Sequence, residues 1–182
     1  MNNLPFNYKK SVQAVNFFAL KNGGNINKLY VLKLIFFADR FHLRKYGRPI
    51  TNDQYWAMQY GPVASSVKEI VELDALGAER HYAKEFLRKG NPNAGEQEFI
   101  VKSEKSVDDN IFSESDVEAL EFAWNTFGQK LPHLVNITYK YPEWKNHETA
   151  LNSEHTRVQM NYLDFFDDPE PGCEPCCTLD EE

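Results

Sequence analysis

Leu29-Tyr30-Val31-Leu32-Lys33-Leu34-Ile35-Phe36-Phe37-Ala38-Asp39-Arg40-Phe41-His42-Leu43-Arg44-Lys45-Tyr46 decides how this chain folds. The stretch sits in a segment, about Ile26 to Tyr46, that reads as one helix stopped by Gly47 and Pro49. At 100° per residue Lys33, Arg40 and Arg44 fall on one narrow stripe, and almost all the remaining circumference is apolar. A helix apolar nearly all round is a central, buried one. Only the basic stripe is then expected to reach solvent. Asp39 and His42 break the apolar arc from inside, on neighbouring positions of one face. The plainer reading makes them a structural polar pair that pins this helix to a neighbour, because a carboxylate buried without partners is costly. The functional alternative is an acid–base couple. No nucleophile, metal set or phosphate loop accompanies the pair, so no catalytic residue and no enzyme activity is expected.

On the N-terminal side, Tyr8, Val12, Val15 and Ala19 recur at helical spacing, which predicts a helix from about Asn7 to Lys21 ended by Gly23-Gly24. On the C-terminal side, Gln54 to Tyr60 alternates like a strand, with Tyr55, Ala57 and Gln59 set against Trp56, Met58 and Tyr60. Gly61-Pro62 then predicts the start of a third helix, which Gly77 would cap. Tyr82–Leu87 and Gln97–Lys102 read as strands that join residues 54–60 in a small antiparallel sheet. Ser113 or Ser115 can cap a helix carrying Val117, Leu120, Trp124 and Phe127, closed by Gly128. A short helix from Leu131-Pro132, a Pro142-Glu143-Trp144 turn and a last helix from about Ser153 to Phe166 complete the chain. The expected fold is α+β, mainly α-helical, as a single domain over residues 1–166. Residues 167–182 form an acidic, cysteine-containing tail outside its core.

Composition narrows the function. The chain has 182 residues, 42% of them hydrophobic, which is enough for one packed core. No apolar run approaches the roughly 20 residues of a membrane helix, and the N-terminus lacks the pattern of a signal peptide. All three cysteines (Cys173, Cys176, Cys177) lie in the tail, so none staples the fold, and a reducing, cytoplasmic setting is expected. A zinc site on them would need His155 as a fourth ligand; free thiols are the plainer reading, and no metal or cofactor is expected. The net charge of −7 hides an asymmetry: residues 1–50 hold nine bases and one acid, and residues 164–182 hold eight acids and no base. Internal neutralisation is the first explanation, with an acidic protein partner or a polyanion as alternatives. Tyr55, Trp56 and Tyr60 suit core packing better than base stacking.

Lys33-Leu34-Ile35-Phe36-Phe37-Ala38-Asp39-Arg40-Phe41-His42-Leu43-Arg44-Lys45-Tyr46-Gly47-Arg48-Pro49-Ile50-Thr51, with Asp53, Ala57-Met58 and Tyr60-Gly61-Pro62-Val63, resembles the signature of the Panacea domain, the SocA-like (GepA-like) antitoxin family. Ser113–Trp144 resembles the family's later helix pair, including its Pro-Glu-Trp ending. The resemblance covers about residues 7–145 and implies a bacterial or phage-associated toxin–antitoxin system. Its members neutralise a cognate protein toxin by direct binding, and SocA itself presents its toxin to the ClpXP protease as an adaptor. The family carries over no catalytic residues. Lys33, Arg40, Arg44, Tyr55, Trp56 and Tyr60 are the candidate partner-binding residues. The alternative is a nucleic-acid-binding regulator with a winged-helix-like basic N-terminal region, against which the overall negative charge argues.

Overall fold

Asn7 starts the first helix: its side chain accepts a hydrogen bond from the Lys10 amide, satisfying one of the N–H groups that a helix start leaves open. In the computed structural model, which describes residues 4–90, 100–108, 110–153 and 155–169, this helix is α1 (Tyr8–Lys21). Asn25–Asn27 is a short strand, β1, and Asn27 caps α2 (Lys28–Tyr46) through the Leu29 amide. Gly47, at φ 75°, closes α2 in the left-handed conformation that glycine adopts without steric penalty. The chain continues through β2 (Tyr55–Met58), β3 (Gly61–Ala64), α3 (Ser65–Glu72), α4 (Gly77–Phe86), β4 (Leu87–Lys89) and β5 (Ile100–Ser103). Then come α5 (Glu114–Phe127), a 3-10 turn (Gly128–His133), α6 (Leu134–Thr138), α7 (Pro142–Lys145), α8 (Glu148–Ser153), β6 (Arg157–Gln159) and a final 3-10 turn (Tyr162–Phe166).

The fold is α+β and mainly helical. Among the described residues the strands form two antiparallel three-stranded sheets, in the orders β1-β5-β4 and β3-β2-β6. This corrects the expectation of a single sheet joining residues 54–60 to the two strands after residue 80. Tyr82–Phe86 is helical, and only Leu87 of that segment begins a strand; of the second segment, residues 97–99 lie outside the described residues. The glycine roles also shift. Leu73, not Gly77, takes the left-handed position that ends α3, and Gly77 opens α4. Gly61-Pro62 does not start a helix. The pair begins β3, an edge strand, where the missing proline N–H costs no ladder hydrogen bond. Glycine is required at 61, because φ is +90° and a Cβ would lie 2.5 Å from Thr138 Oγ1 and 3.0 Å from Lys33 Nζ. The segment expected as one helix from Ser153 to Phe166 is broken into the end of α8, β6 and a 3-10 turn.

α2 runs through the centre, buried from Val31 to Arg40 and again at His42 and Leu43. Its aromatic residues organise the core. Phe37 stacks on Phe127 of α5 at 3.8 Å, and Phe36 meets Tyr55, Tyr141 and Phe165 edge-on at 5.8, 6.2 and 5.7 Å. Ser113 and Asp116 form a full capping box at the start of α5. Among the described residues no helix is long and apolar enough to cross a membrane.

Candidate functional site

The basic stripe of α2 does not face solvent. Lys33 and Arg40 are fully buried and the Arg44 side chain is only 8% exposed, which corrects the expected exposure of the stripe. Lys33 Nζ donates to the Pro62 carbonyl at 2.7 Å, and burial pulls its pKa down to about 7. Arg40 Nε pairs with Glu143 Oε1 at 2.7 Å inside the core, with its guanidinium 4.9 Å from the Tyr141 ring. Burial raises the Glu143 carboxyl against the pull of Arg40. Arg44 donates to the Phe165, Phe166 and Asp167 carbonyls and to the Asp168 carboxylate. The tail is therefore not detached at Asp167: its first residues lie on α2, and Pro169 is buried. On α3 the Glu72 carboxylate is engaged by Lys28 and Lys68 rather than by the stripe.

Asp39 and His42 are both buried but serve separate networks. The Asp39 carboxylate accepts from the Ile50 and Thr51 amides at 2.7 and 3.0 Å, from the Tyr55 hydroxyl at 2.9 Å and from the Thr51 hydroxyl. It thus ties α2 to the loop before β2 and to β2 itself. His42 Nδ1 lies 2.6 Å from the Arg48 carbonyl, which can only accept, so Nδ1 carries the proton. Nε2 then accepts from the Ser115 hydroxyl at 3.0 Å. Burial pulls the His42 pKa down, in keeping with this neutral form.

Burial outweighs the donors around Asp39 and raises its pKa from 3.8 to about 6. The folded chain then holds this proton more tightly than the unfolded chain does. The stabilisation from Asp39 is complete below about pH 4 and is lost as pH rises through about 6, a change of roughly 3 kcal/mol for two pKa units. Urea unfolding of wild type and Asp39→Asn should show the wild-type advantage shrinking by about that amount between pH 4 and pH 7. A constant difference would contradict it.

What the hairpin does expose is the outer face of the β3-β2-β6 sheet. Tyr55 points into the core at 1% exposure, whereas Trp56 and Met58 alternate outward, and Tyr60 at the hairpin tip is 59% exposed. Trp56 is opposite Gln159, and Met58 is opposite Arg157, across the β2–β6 ladder. The Arg157 guanidinium lies 4.7 Å from the Trp56 ring. Trp56, Met58, Val63, Lys68, Glu69 and Arg157 rim a shallow hollow of about 130 Å³. The sequence reading named Trp56 and Tyr60 as candidates beside Tyr55 but did not name Arg157, which sat in the segment read as a helix, or Glu143, which read only as part of a turn. A wider open groove of about 940 Å³ runs past Arg48, Asn52, Gln54, Gln159 and Asn161. Among the described residues its one carboxylate, Asp53, is occupied by the Gln54 and Val67 amides at 2.7 and 2.8 Å.

Among the described residues no group of three or more His, Cys, Asp or Glu side chains is placed to hold a metal ion. Cys173, Cys176 and Cys177 lie outside the described residues, and His155 is exposed. A family model described as antitoxin SocA-like, Panacea domain, matches residues 31–145, more than half of the chain. No curated protein and no solved structure matches.

Proposed function

Since the chain belongs to the SocA-like antitoxin family and carries its Panacea domain, we propose that it neutralises a protein toxin by binding it directly through the outer face of the β3-β2-β6 sheet. The observation that carries this reading is the packing of the Arg157 guanidinium on Trp56, beside the half-buried Met58, with Tyr60 59% exposed at the hairpin tip of the same sheet. Trp, Tyr, Met and Arg are the side chains concentrated at protein interfaces, and Trp, Tyr and Arg dominate their energetics. Lys33 and Tyr55 support that surface from beneath, Lys33 by anchoring the hairpin at Pro62 and Tyr55 by fixing β2 to Asp39, whereas Arg40 and Arg44 hold Glu143 and residues 165–168. The role proposed for Lys33 thus becomes one of positioning. The toxin–antitoxin system, a cytoplasmic site of action and delivery of the toxin to a ClpXP-type protease are further parts of the proposal, resting on the family resemblance. The nucleic-acid reading loses support, because much of the basic N-terminal third is paired within the fold: Lys10 with Asp116, Lys21 with Glu121, Arg40 with Glu143 and Lys45 with Glu118.

Co-expression with the protein encoded beside this chain tests the reading. That protein alone should arrest growth, and the intact chain should relieve the arrest. Tyr60→Ala with Arg157→Ala should abolish relief while leaving the melting temperature within a few degrees, since exposed positions usually change stability by less than about 0.5 kcal/mol. Relief undiminished by the double change would place binding elsewhere.

A further inference from the structure

The last described segment is bound to the fold in the way a peptide is bound to a receptor. Tyr162–Phe166 and the residues to Pro169 lie as a strap across α2 and α7. Most of the hydrogen bonds that hold it meet its backbone. Arg44 Nη1 donates to the carbonyls of Phe165, Phe166 and Asp167 at 3.2, 2.8 and 3.1 Å, and Arg40 Nη2 donates to the Asp167 carbonyl at 2.7 Å. Two aromatics anchor it: Phe165, 1% exposed, packs against Phe36 and Tyr55 with ring centroids at 5.7 and 5.4 Å, and Tyr162 meets Tyr55 at 6.1 Å and donates its hydroxyl to the Asp53 carbonyl. One carboxylate adds charge, Asp168 at 2.6 Å from Arg44 Nη2. Main-chain hydrogen bonds for affinity and a side-chain pocket for selectivity are the recurring terms of peptide recognition.

Two further observations separate this strap from ordinary core. The fit is incomplete: Arg44 Nε and Glu143 Oε2 are buried with no hydrogen-bond partner among the described residues, a costly condition for polar atoms. The tether is lightly packed: of the described residues from 146 to 161 only Met160 is buried. The receptor side, Phe36, Arg40, Arg44, Tyr55 and Glu143, lies wholly within residues 31–145, and the strap lies wholly outside them.

We infer that the cleft between α2 and α7 is a peptide-recognition site, that the strap is its displaceable resident, and that it accepts from a partner protein a segment with an aromatic residue followed by acidic ones. The inference rests on the reading of the chain as a protein binder, but its test does not require the toxin. A fluorescein-labelled peptide spanning residues 161–169 is titrated against full-length chains. It should bind the Phe165→Ala chain saturably and at least about tenfold more tightly than wild type, where the resident strap competes. Adding Arg44→Glu should lose at least about tenfold of that binding. No saturable binding, equal binding to wild type, or indifference to Arg44→Glu would overturn the inference.

Native-state proteolysis of wild type covers the case in which Phe165→Ala fails to fold. Chymotrypsin should cut after the buried Phe165 with a far shallower urea dependence than global unfolding, because only the strap opens. A cut as steeply dependent on urea as global unfolding would overturn the inference, since strap and core would then be one unit. Peptide binding without capture of the neighbouring gene's product would leave the cleft standing and fail the toxin reading alone.

Discussion

Glu143→Ala is expected to cost about 3–5 kcal/mol, the usual result of removing one partner from a buried ion pair. Both Glu143 and Arg40 are fully buried, and Nε and Oε1 are 2.7 Å apart. The loss leaves the Arg40 charge in a low-dielectric core without its carboxylate. For a domain of this size that corresponds to a fall in melting temperature of roughly 6–20 °C. The double change Arg40→Met with Glu143→Leu should recover most of the loss, since apolar groups of similar volume replace a buried pair at little net cost. Urea unfolding of the single and double variants checks both statements. A single-variant cost below about 1 kcal/mol would mean that water reaches the pair.

Asp39→Leu should cost about 2–6 kcal/mol, counting about 1–3 for each of the two backbone N–H groups left without an acceptor. Those groups are the amides of Ile50 and Thr51, buried in the turn that leads into β2. Asp39→Asn should cost far less, about 1 kcal/mol at neutral pH. Its carbonyl oxygen still accepts from both amides, and the hydroxyls of Thr51 and Tyr55 can turn round to accept from the new NH₂. Denaturant midpoints at unchanged slope separate the two variants. Equal effects would contradict the role of Asp39 as an acceptor for the backbone.

The long helices were legible because their signals are local. Asn7 and Gly23-Gly24 bound α1, Gly47 stops α2, and Ser113 with Asp116 opens α5 within a few residues of where each signal stands. The three-residue strands were not legible, because their pairing is not local: Asn25 lies opposite Lys102, and Met58 opposite Arg157. Gly61-Pro62 misled because a proline without its N–H suits a helix start and an edge strand equally well. The basic stripe misled for a different reason. Side-chain acids can be sought in a sequence, but Arg44 is held largely by backbone carbonyls more than a hundred residues away, and those have no signature. Of the proposed binding surface, strand alternation set Trp56, Met58 and Tyr60 on one face but favoured core packing for Trp56 and Tyr60. Arg157 required knowing that β6 joins β2.

Calorimetric titration of the purified chain with the product of the neighbouring gene tests the central claim most directly. A saturable complex should form, and Tyr60→Ala with Arg157→Ala should weaken it at least about thirtyfold, the loss of roughly 2 kcal/mol that marks an energetic hot spot. A complex of unchanged affinity, or no heat of binding at all, would contradict it.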